Sequence, residues 1–227
     1  QLVILGAGFD TRAHRFAEIL KDANVIEIDY VTTQQYKQQR VVEALSDSPA
    51  AVTYAPADFA CENLVDVLHR AGFDPNRKTF FIAEGLSMYV PEAGMKETLR
   101  TIARQSAPGS TLLLEYLNRT GIDVMTKNPQ GLVKNAFEPF VFGVPDNQDR
   151  EFFAEHGLDL GESLKMGTPQ SLKYTTRADG TLYGAHLQKV FRERQEAAMK
   201  TMDEATRQQL AKAAASSGYW LAELLVP

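Results

Sequence analysis

The sequence predicts an α/β fold built on a parallel, doubly wound sheet, and three observations carry that prediction. Between Gln1 and Tyr116, short apolar runs alternate five times with helical patterns, the order that successive βαβ units require. The first run, Gln1-Leu2-Val3-Ile4-Leu5, is apolar at nearly every position, as a strand covered on both faces must be. Directly after it comes the glycine turn Gly6-Ala7-Gly8 and then a helical pattern, the local order of a ligand-binding strand-to-helix turn.

The elements follow in sequence. Asp10 or Thr11 can cap a helix from Arg12 to Lys21, with Ala13, Phe16, Ala17 and Leu20 at helical spacing. Asn24 to Asp29 reads as a second strand, and a polar helix containing Gln34 to Leu45 follows. Val52 to Asp58 is a weaker third strand, since Pro56 cannot donate a ladder hydrogen bond and favours an edge or a strand end. Asn63 to Ala71 is a helix with Leu64, Val67 and Leu68 on one face, stopped by Gly72. Thr79 to Glu84 is the fourth strand, Pro91 to Gln105 a helix, and Thr111 to Tyr116 the fifth strand. From Asn118 the alternation lapses into an expected insertion before Phe140-Val141-Phe142, followed by a helix around Asp149 to His156 and a strand over Leu158 to Leu164. Lys189 to Ala215 carries a mixed-charge helical pattern, and Tyr219 to Val226 reads as a closing strand. The whole chain, 1–227, is expected to form a single domain, with insertions near 118–136 and 165–218. A strand as apolar as Leu2-Val3-Ile4-Leu5 belongs in the middle of a sheet, so residues upstream of Gln1 are also expected.

Composition narrows the function classes. With 44% hydrophobic and 23% charged residues, the chain matches ordinary globular proteins and not disordered or collagenous ones. Its 24 basic residues against 29 acidic ones are not clustered, which argues against a nucleic-acid footprint. No run approaches the length of a membrane helix and no signal-peptide order opens the chain, so neither membrane nor export is expected. A single cysteine, Cys61, excludes an intramolecular disulfide, makes a cysteine zinc site implausible, and fits a reducing, cytoplasmic setting. No metal is expected.

In an open parallel sheet, ligands bind beyond the carboxyl ends of the strands. Gly6 and Gly8 lie there after the first strand, where glycine allows the backbone to approach a ligand. Asp29 ends the second strand about 20 residues on, the place of a ribose-binding acid. Asp58 ends the third strand and Glu84 the fourth, so three acids meet at one mouth. Such a site attracts a cation and repels a polyphosphate. A nicotinamide fingerprint also wants a small third residue where this chain has Thr11, and Asp10 would oppose a pyrophosphate. S-adenosylmethionine meets the charge pattern: its ribose suits Asp29, its adenine can lie against Asp58 and Phe59, and its sulfonium and ammonium groups are cationic. Arg12 opposes the helix dipole in the first turn and therefore needs a partner, which Asp10, Asp29 or a cofactor carboxylate would supply.

In order along the chain, Leu5-Gly6-Ala7-Gly8-Phe9-Asp10-Thr11-Arg12, Glu27-Ile28-Asp29, Asp58-Phe59 and Ala83-Glu84-Gly85-Leu86-Ser87-Met88-Tyr89 resemble the leucine carboxyl methyltransferase family. Its bacterial O-methyltransferase branch, which includes polyketide carboxyl methyltransferases, is the most similar. Glu138 to Pro145 and Tyr219-Trp220-Leu221-Ala222 extend the likeness. The resemblance implies a class I methyltransferase, Rossmann-like sheet whose last strand runs antiparallel. It also implies S-adenosylmethionine as cofactor, with Gly6 at its amino-acid end, Asp29 at the ribose, Asp58 and Phe59 at the adenine, and Glu84 on the methionine side. Val31 stands where the family often has proline, and Phe59 where leucine is usual; altered packing is expected there. The family's N-terminal helical segment, which covers the substrate and supplies an arginine to the cofactor carboxylate, has no counterpart in this numbering.

The implied reaction is methyl transfer to a carboxylate or hydroxyl of a small molecule. A carboxylate acceptor is ionised at neutral pH and needs no base, whereas a phenol or alcohol does. His14, His69, His156, His186, Tyr89 and Tyr116 are candidates for that base by residue type alone, so no catalytic residue is assigned. Two other readings stay open: a nicotinamide-dependent oxidoreductase, and a non-catalytic Rossmann-like module that docks partners through the Lys189 to Ala215 stretch.

Overall fold

The computed structural model describes residues 1–127, 139–186 and 218–227, with scattered positions between 189 and 208. Its strands are β1 (Leu2–Leu5), β2 (Val25–Asp29), β3 (Val52–Pro56), β4 (Phe80–Ala83), β5 (Thr111–Leu117), β6 (Asp159–Lys165) and β7 (Tyr219–Leu225). They form one sheet in the order β3-β2-β1-β4-β5-β7-β6. β1 to β5 pair in parallel, and β7 lies antiparallel between β5 and β6. β1 is central and buried at all four positions, which is why its run of four aliphatics carries no polar residue. β3 is an edge strand and Pro56 is its last residue, so both placements that suit a proline are met.

The helices are α1 (Arg12–Arg15), α2 (Ala17–Leu20), α3 (Val31–Ala44), α4 (Leu64–Arg70), α5 (Glu92–Gln105), α6 (Arg119–Lys127), α7 (Asp149–Glu155) and α8 (Pro169–Thr175). The main core lies on one sheet face, where Leu64, Val67 and Leu68 of α4, Met95, Leu99 and Ile102 of α5, and Phe152 and Phe153 of α7 meet inward residues of the strands. The opposite face holds a smaller cluster of Leu2, Ile4, Ala7, Ala13, Val25 and Ile82. On that second face, beyond β4, Phe80, Leu113, Leu164, Tyr174 and Leu221 line a shallow hollow of about 350 Å³.

Two expectations need correction. The helix expected over Arg12 to Lys21 is two short helices, because Phe16 leaves the helical region at φ −111°, ψ 22°. The region from Asn118 is not irregular throughout, since α6 follows β5 almost directly; its apolar positions Ile122, Val124 and Met125 span a single turn, too short a stretch to announce a helix. The short helix α8 also went unannounced. Residues 128–136 of the first insertion, Glu138, and most of the Lys189 to Ala215 helical stretch lie outside the described residues.

Candidate functional site

The chain runs from β1 outward to β2 and β3, then returns to β4 on the other side of β1. The loops after β1 and β4 therefore diverge and leave a crevice at the carboxyl end of the sheet. Gly6 at φ 64° and Gly8 at φ 43° shape the first of these loops. Gly6 has a steric reason as well as a conformational one. A Cβ there would stand 3.0 Å from Leu86 Cδ1, in the segment that follows β4. The two loops touch at this one point, and beside it a cavity of about 440 Å³ is lined by Gly6, Gly8, Asp10, Arg12 and Glu84 among others.

Arg12 spans the crevice. Its Nη2 pairs with Glu84 Oε2, and its Nη1 stands 3.2 Å from Asp10 Oδ2. Asp10 also performs the capping: its Oδ1 accepts the Arg12 backbone N–H at 2.7 Å, while Thr11 makes no side-chain cap bond. Of the partners expected for Arg12, Asp10 is present; Asp29 instead faces the glycine loop. Asp29 Oδ2 accepts the Gly8 N–H at 2.5 Å, and its Oδ1 accepts the Tyr30 N–H at 2.6 Å. Each carboxylate oxygen has two acceptor sites, so Asp29 holds the loop and keeps capacity for ligand hydroxyls.

Asp58 and Phe59 lie apart from this cavity, in a second hollow of about 200 Å³ shared with Cys61, Glu62, Gly94 and Glu97. Asp58 Oδ1 accepts the Ala60 N–H at 2.8 Å, and Phe59 packs against the main core. Gly94 of α5 allows that approach, because a Cβ on it would stand 2.7 Å from the Phe59 carbonyl oxygen. Of the seven residues singled out from the sequence, five (Gly6, Gly8, Arg12, Asp29 and Glu84) gather at the β1/β4 crevice or its loop, and two face the neighbouring hollow.

The candidate bases sort themselves by position. Tyr116 is buried, donates to Asp149 Oδ2 at 3.2 Å, and has its hydroxyl pKa driven up by burial, so it belongs to the core. His156 is buried with Nδ1 2.6 Å from the Phe152 carbonyl, against the Phe152 ring. His14 Nδ1 stands 3.0 Å from Ser48 Oγ, and burial and then Lys37 hold its pKa below the usual value. His69 lies in α4 and His186 near the end of the described run. Tyr89 remains near the mouth, edge-on to Phe140 with ring centroids 5.1 Å apart.

Sequence reasoning missed Glu115. It sits on β5, and its Oε2 accepts the Gly85 N–H at 2.7 Å. Burial pushes its carboxyl above the ordinary value; the Gly85 bond opposes this and the Glu84 charge adds to it. The alternation Thr111, Leu113, Glu115 was the available signal, one acid on an otherwise uncharged strand face. The raised value fixes a pH dependence. The folded state holds the Glu115 proton more tightly than the unfolded chain, so this group's contribution falls as pH rises from about 4 toward its folded value. Melting of Glu115→Gln beside the parent is therefore expected to shift in the variant's favour between about pH 4 and pH 7. A difference in midpoints that stays constant with pH contradicts this.

Among the described residues no helix is long and apolar enough to cross a membrane, and no group of three His, Cys, Asp or Glu side chains is arranged to hold a metal.

Residues 1–103, which carry the glycine loop and all of these acids except Glu115, match the sequence model for leucine carboxyl methyltransferases. The match to that family is thus confined to the first 103 residues. Relatives carry the same description at the level of reaction class. The chain is 34% identical over 120 residues to the Bacillus subtilis protein named "Putative S-adenosyl-L-methionine-dependent methyltransferase YktD", covering 53% of this chain and 39% of that one. It is 37% identical over 117 residues to a Mycolicibacterium vanbaalenii protein of the same description, covering 51% and 37%. The chain thus matches under two fifths of the length of these relatives. Among solved structures it resembles Rickettsia typhi PKMT2 in complex with AdoHcy, with TM-score 0.55 and 11% identity over 99% of this chain and 48% of that one. It also resembles the Synechocystis magnesium protoporphyrin IX methyltransferase with bound SAH, with TM-score 0.52 and 12% identity over 100% and 73%. At these identities the likeness is one of fold. The chain shares the class I methyltransferase architecture of these structures, a mostly parallel sheet with β7 antiparallel.

Proposed function

We propose that the chain binds S-adenosylmethionine and serves its methyl transfer to a carboxylate or hydroxyl oxygen of a small-molecule acceptor, an O-methyltransferase activity. The observation that carries this reading is the Arg12–Glu84 pair, set across the β1/β4 crevice beside the glycine loop. A cation and an anion side by side complement the carboxylate and ammonium of an α-amino acid, and S-adenosylmethionine ends in one. Asp29 keeps acceptor capacity for ribose hydroxyls, and Asp58 and Phe59 stand in the next hollow along, on the side assigned to the adenine. The relatives' descriptions support the same cofactor. A pyrophosphate-bearing nicotinamide cofactor suits the site poorly, since Asp10, Asp29 and Glu84 gather there and, among the described residues, Arg12 is ion-paired to Asp10 and Glu84 while Asp29 has no ion pair.

When bound, S-adenosylmethionine supplies an electrophilic methyl group on a cationic sulfonium. The work of this chain's residues is then positioning. Gly6 and Gly8 admit the cofactor's backbone-facing side, Arg12 and Glu84 orient its amino-acid end, and Asp29 fixes the ribose. Acceptor selectivity is expected to reside in the segments 118–136 and 165–218, and a polyketide-type acceptor follows the family likeness. A pH–rate profile without inflection near neutrality identifies a carboxylate acceptor, and an inflection a hydroxyl one.

Calorimetric titration with S-adenosylmethionine, S-adenosylhomocysteine and NAD tests the reading. The first two are expected to bind and the third not, and Asp29→Ala is expected to weaken the two by about 10- to 100-fold, the worth of a charge-assisted hydrogen bond. Tight NAD binding, or silence toward all three ligands, overturns it. Binding without turnover on any carboxylate or hydroxyl acceptor identifies a non-catalytic module instead.

A further inference from the structure

Glu84 is useful to an amino-acid ligand only if its carboxylate is held at the crevice, and its own strand does not hold it there. β4 ends at Ala83, and Gly85 at φ 64° turns the chain immediately after Glu84. A Cβ on Gly85 would meet nothing within 4 Å, so glycine is required by this backbone angle and not by space. The turn is fastened from β5. Glu115 Oε2 accepts the Gly85 N–H at 2.7 Å, and the Glu115 carbonyl oxygen accepts the Ser87 hydroxyl, also at 2.7 Å. Side chain and main chain of one residue thus grip Glu84-Gly85-Leu86-Ser87 at two points. The same segment brings Leu86 against Gly6, so the grip reaches the glycine loop.

The arrangement is electrostatically unfavourable by itself. Glu115 is half-buried, joins none of the ion pairs among the described residues, and stands close enough to Glu84 for the two charges to repel. An apolar residue would suit this strand face better, since Leu113 precedes it and Leu221 pairs with it on β7. A carboxylate kept there against burial and a like charge gains its place by what it holds.

We infer that Glu115 is a positioning residue: it fixes the Gly85 peptide so that Glu84 faces Arg12 and the cation of a bound amino-acid group. The inference rests on the S-adenosylmethionine reading of the crevice and adds to it a residue from β5, outside the matched residues 1–103.

Two ligands separate this from a general structural role. S-adenosylhomocysteine carries adenine, ribose and the amino-acid end; 5′-methylthioadenosine lacks the last. Calorimetry on the full chain, with Glu115→Ala, is expected to show S-adenosylhomocysteine weakened about tenfold and 5′-methylthioadenosine held within about twofold. Glu115→Gln, whose amide oxygen still accepts the Gly85 N–H, is expected to bind S-adenosylhomocysteine within about threefold of the parent. Added to Glu84→Gln, Glu115→Ala is expected to cost little more, because its effect passes through Glu84.

Equal weakening of both ligands by Glu115→Ala overturns the inference, as does a full additive loss in the double variant. Unchanged S-adenosylhomocysteine affinity in Glu115→Ala overturns it too, while leaving the cofactor reading intact. A parent chain that binds neither ligand removes the cofactor reading itself, and the inference with it.

Discussion

Lys37→Met will lower the stability of the fold by about 3–5 kcal/mol, the usual consequence of stranding one member of a buried ion pair. Lys37 of α3 is 3% exposed and Glu27 of β2 is 1% exposed, and Lys37 Nζ pairs with Glu27 Oε2. Gln34 Nε2 donates to the Glu27 carbonyl at 3.1 Å, so two buried polar residues of one helix dock on one strand position. Glu27 Oε1 has no hydrogen-bond partner, which leaves the pair without reserve. Burial already raises the Glu27 carboxyl above its ordinary value, with Lys37 opposing the rise. Without Lys37 the value climbs further, and the folded state then holds a proton that the unfolded chain releases. A folded value above the unfolded one means stability lost as pH rises through the interval, so the variant will be weakest near neutrality and partly restored near about pH 5. Glu27→Leu combined with Lys37→Met removes both charges and will recover most of the loss. Urea unfolding at both pH values with an unchanged slope measures this. A loss below about 1 kcal/mol would mean that water reaches the pair. Asp29 lies two residues beyond Glu27 on the same strand, so α3 docking also sets where the expected ribose acid stands.

The sheet and one side of the crevice were legible because their causes are local. Apolar runs such as Leu2-Val3-Ile4-Leu5 and Phe80-Phe81-Ile82-Ala83 leave little choice but a covered strand, and Pro56, lacking an N–H, suits an edge or a strand end. Asp29, Asp58 and Glu84 were found because each lies at or within two residues of the carboxyl end of a parallel strand, where ligands bind, although Asp58 faces the neighbouring hollow. What could not be read is pairing across the sheet. The sequence left Arg12 with Asp10, Asp29 or a ligand, and nothing local selects Glu84, 72 residues away, across the point where strand order reverses. Glu115 escaped for the same reason: its partner Gly85 is 30 residues distant and is a backbone group, which carries no mark in sequence. The Glu27–Lys37 pair was hidden differently. A charged residue in mid-strand and another in a polar helix look solvated until packing buries both. The break at Phe16 belongs to this class too, since Arg12 to Lys21 has continuous helical spacing and only the φ and ψ of Phe16 interrupt it.

Arg12→Met will separate the two ends of the crevice. Arg12 is partnered by Asp10 and Glu84, and Arg15, which also lines the cavity, is turned away to Thr11 Oγ1 at 2.9 Å and lies over the Phe16 ring. Nothing adjacent therefore replaces its charge. Removal leaves Asp10 and Glu84 facing the crevice unneutralised, and a ligand carboxylate arriving there meets two anions in place of a cation. S-adenosylhomocysteine affinity will fall about 10- to 100-fold, as expected when repulsion replaces a charge-assisted hydrogen bond. The affinity of 5′-methylthioadenosine, which brings no carboxylate, will stay within about twofold. Asp29→Ala reverses the pattern by weakening both ligands, because the ribose is common to them. Arg12→Lys will fall between, since an ammonium keeps the charge but cannot reach Asp10 and Glu84 with the two arms of a fork. Arg12 is 30% exposed, so the ligand-free midpoint will move little, and the loss will appear instead in the stabilisation that added S-adenosylhomocysteine confers. Equal loss of both ligands in Arg12→Met would assign Arg12 to the glycine loop's own integrity. Retained S-adenosylhomocysteine affinity would make it an internal counter-ion for Asp10 and Glu84, with the ligand carboxylate held elsewhere.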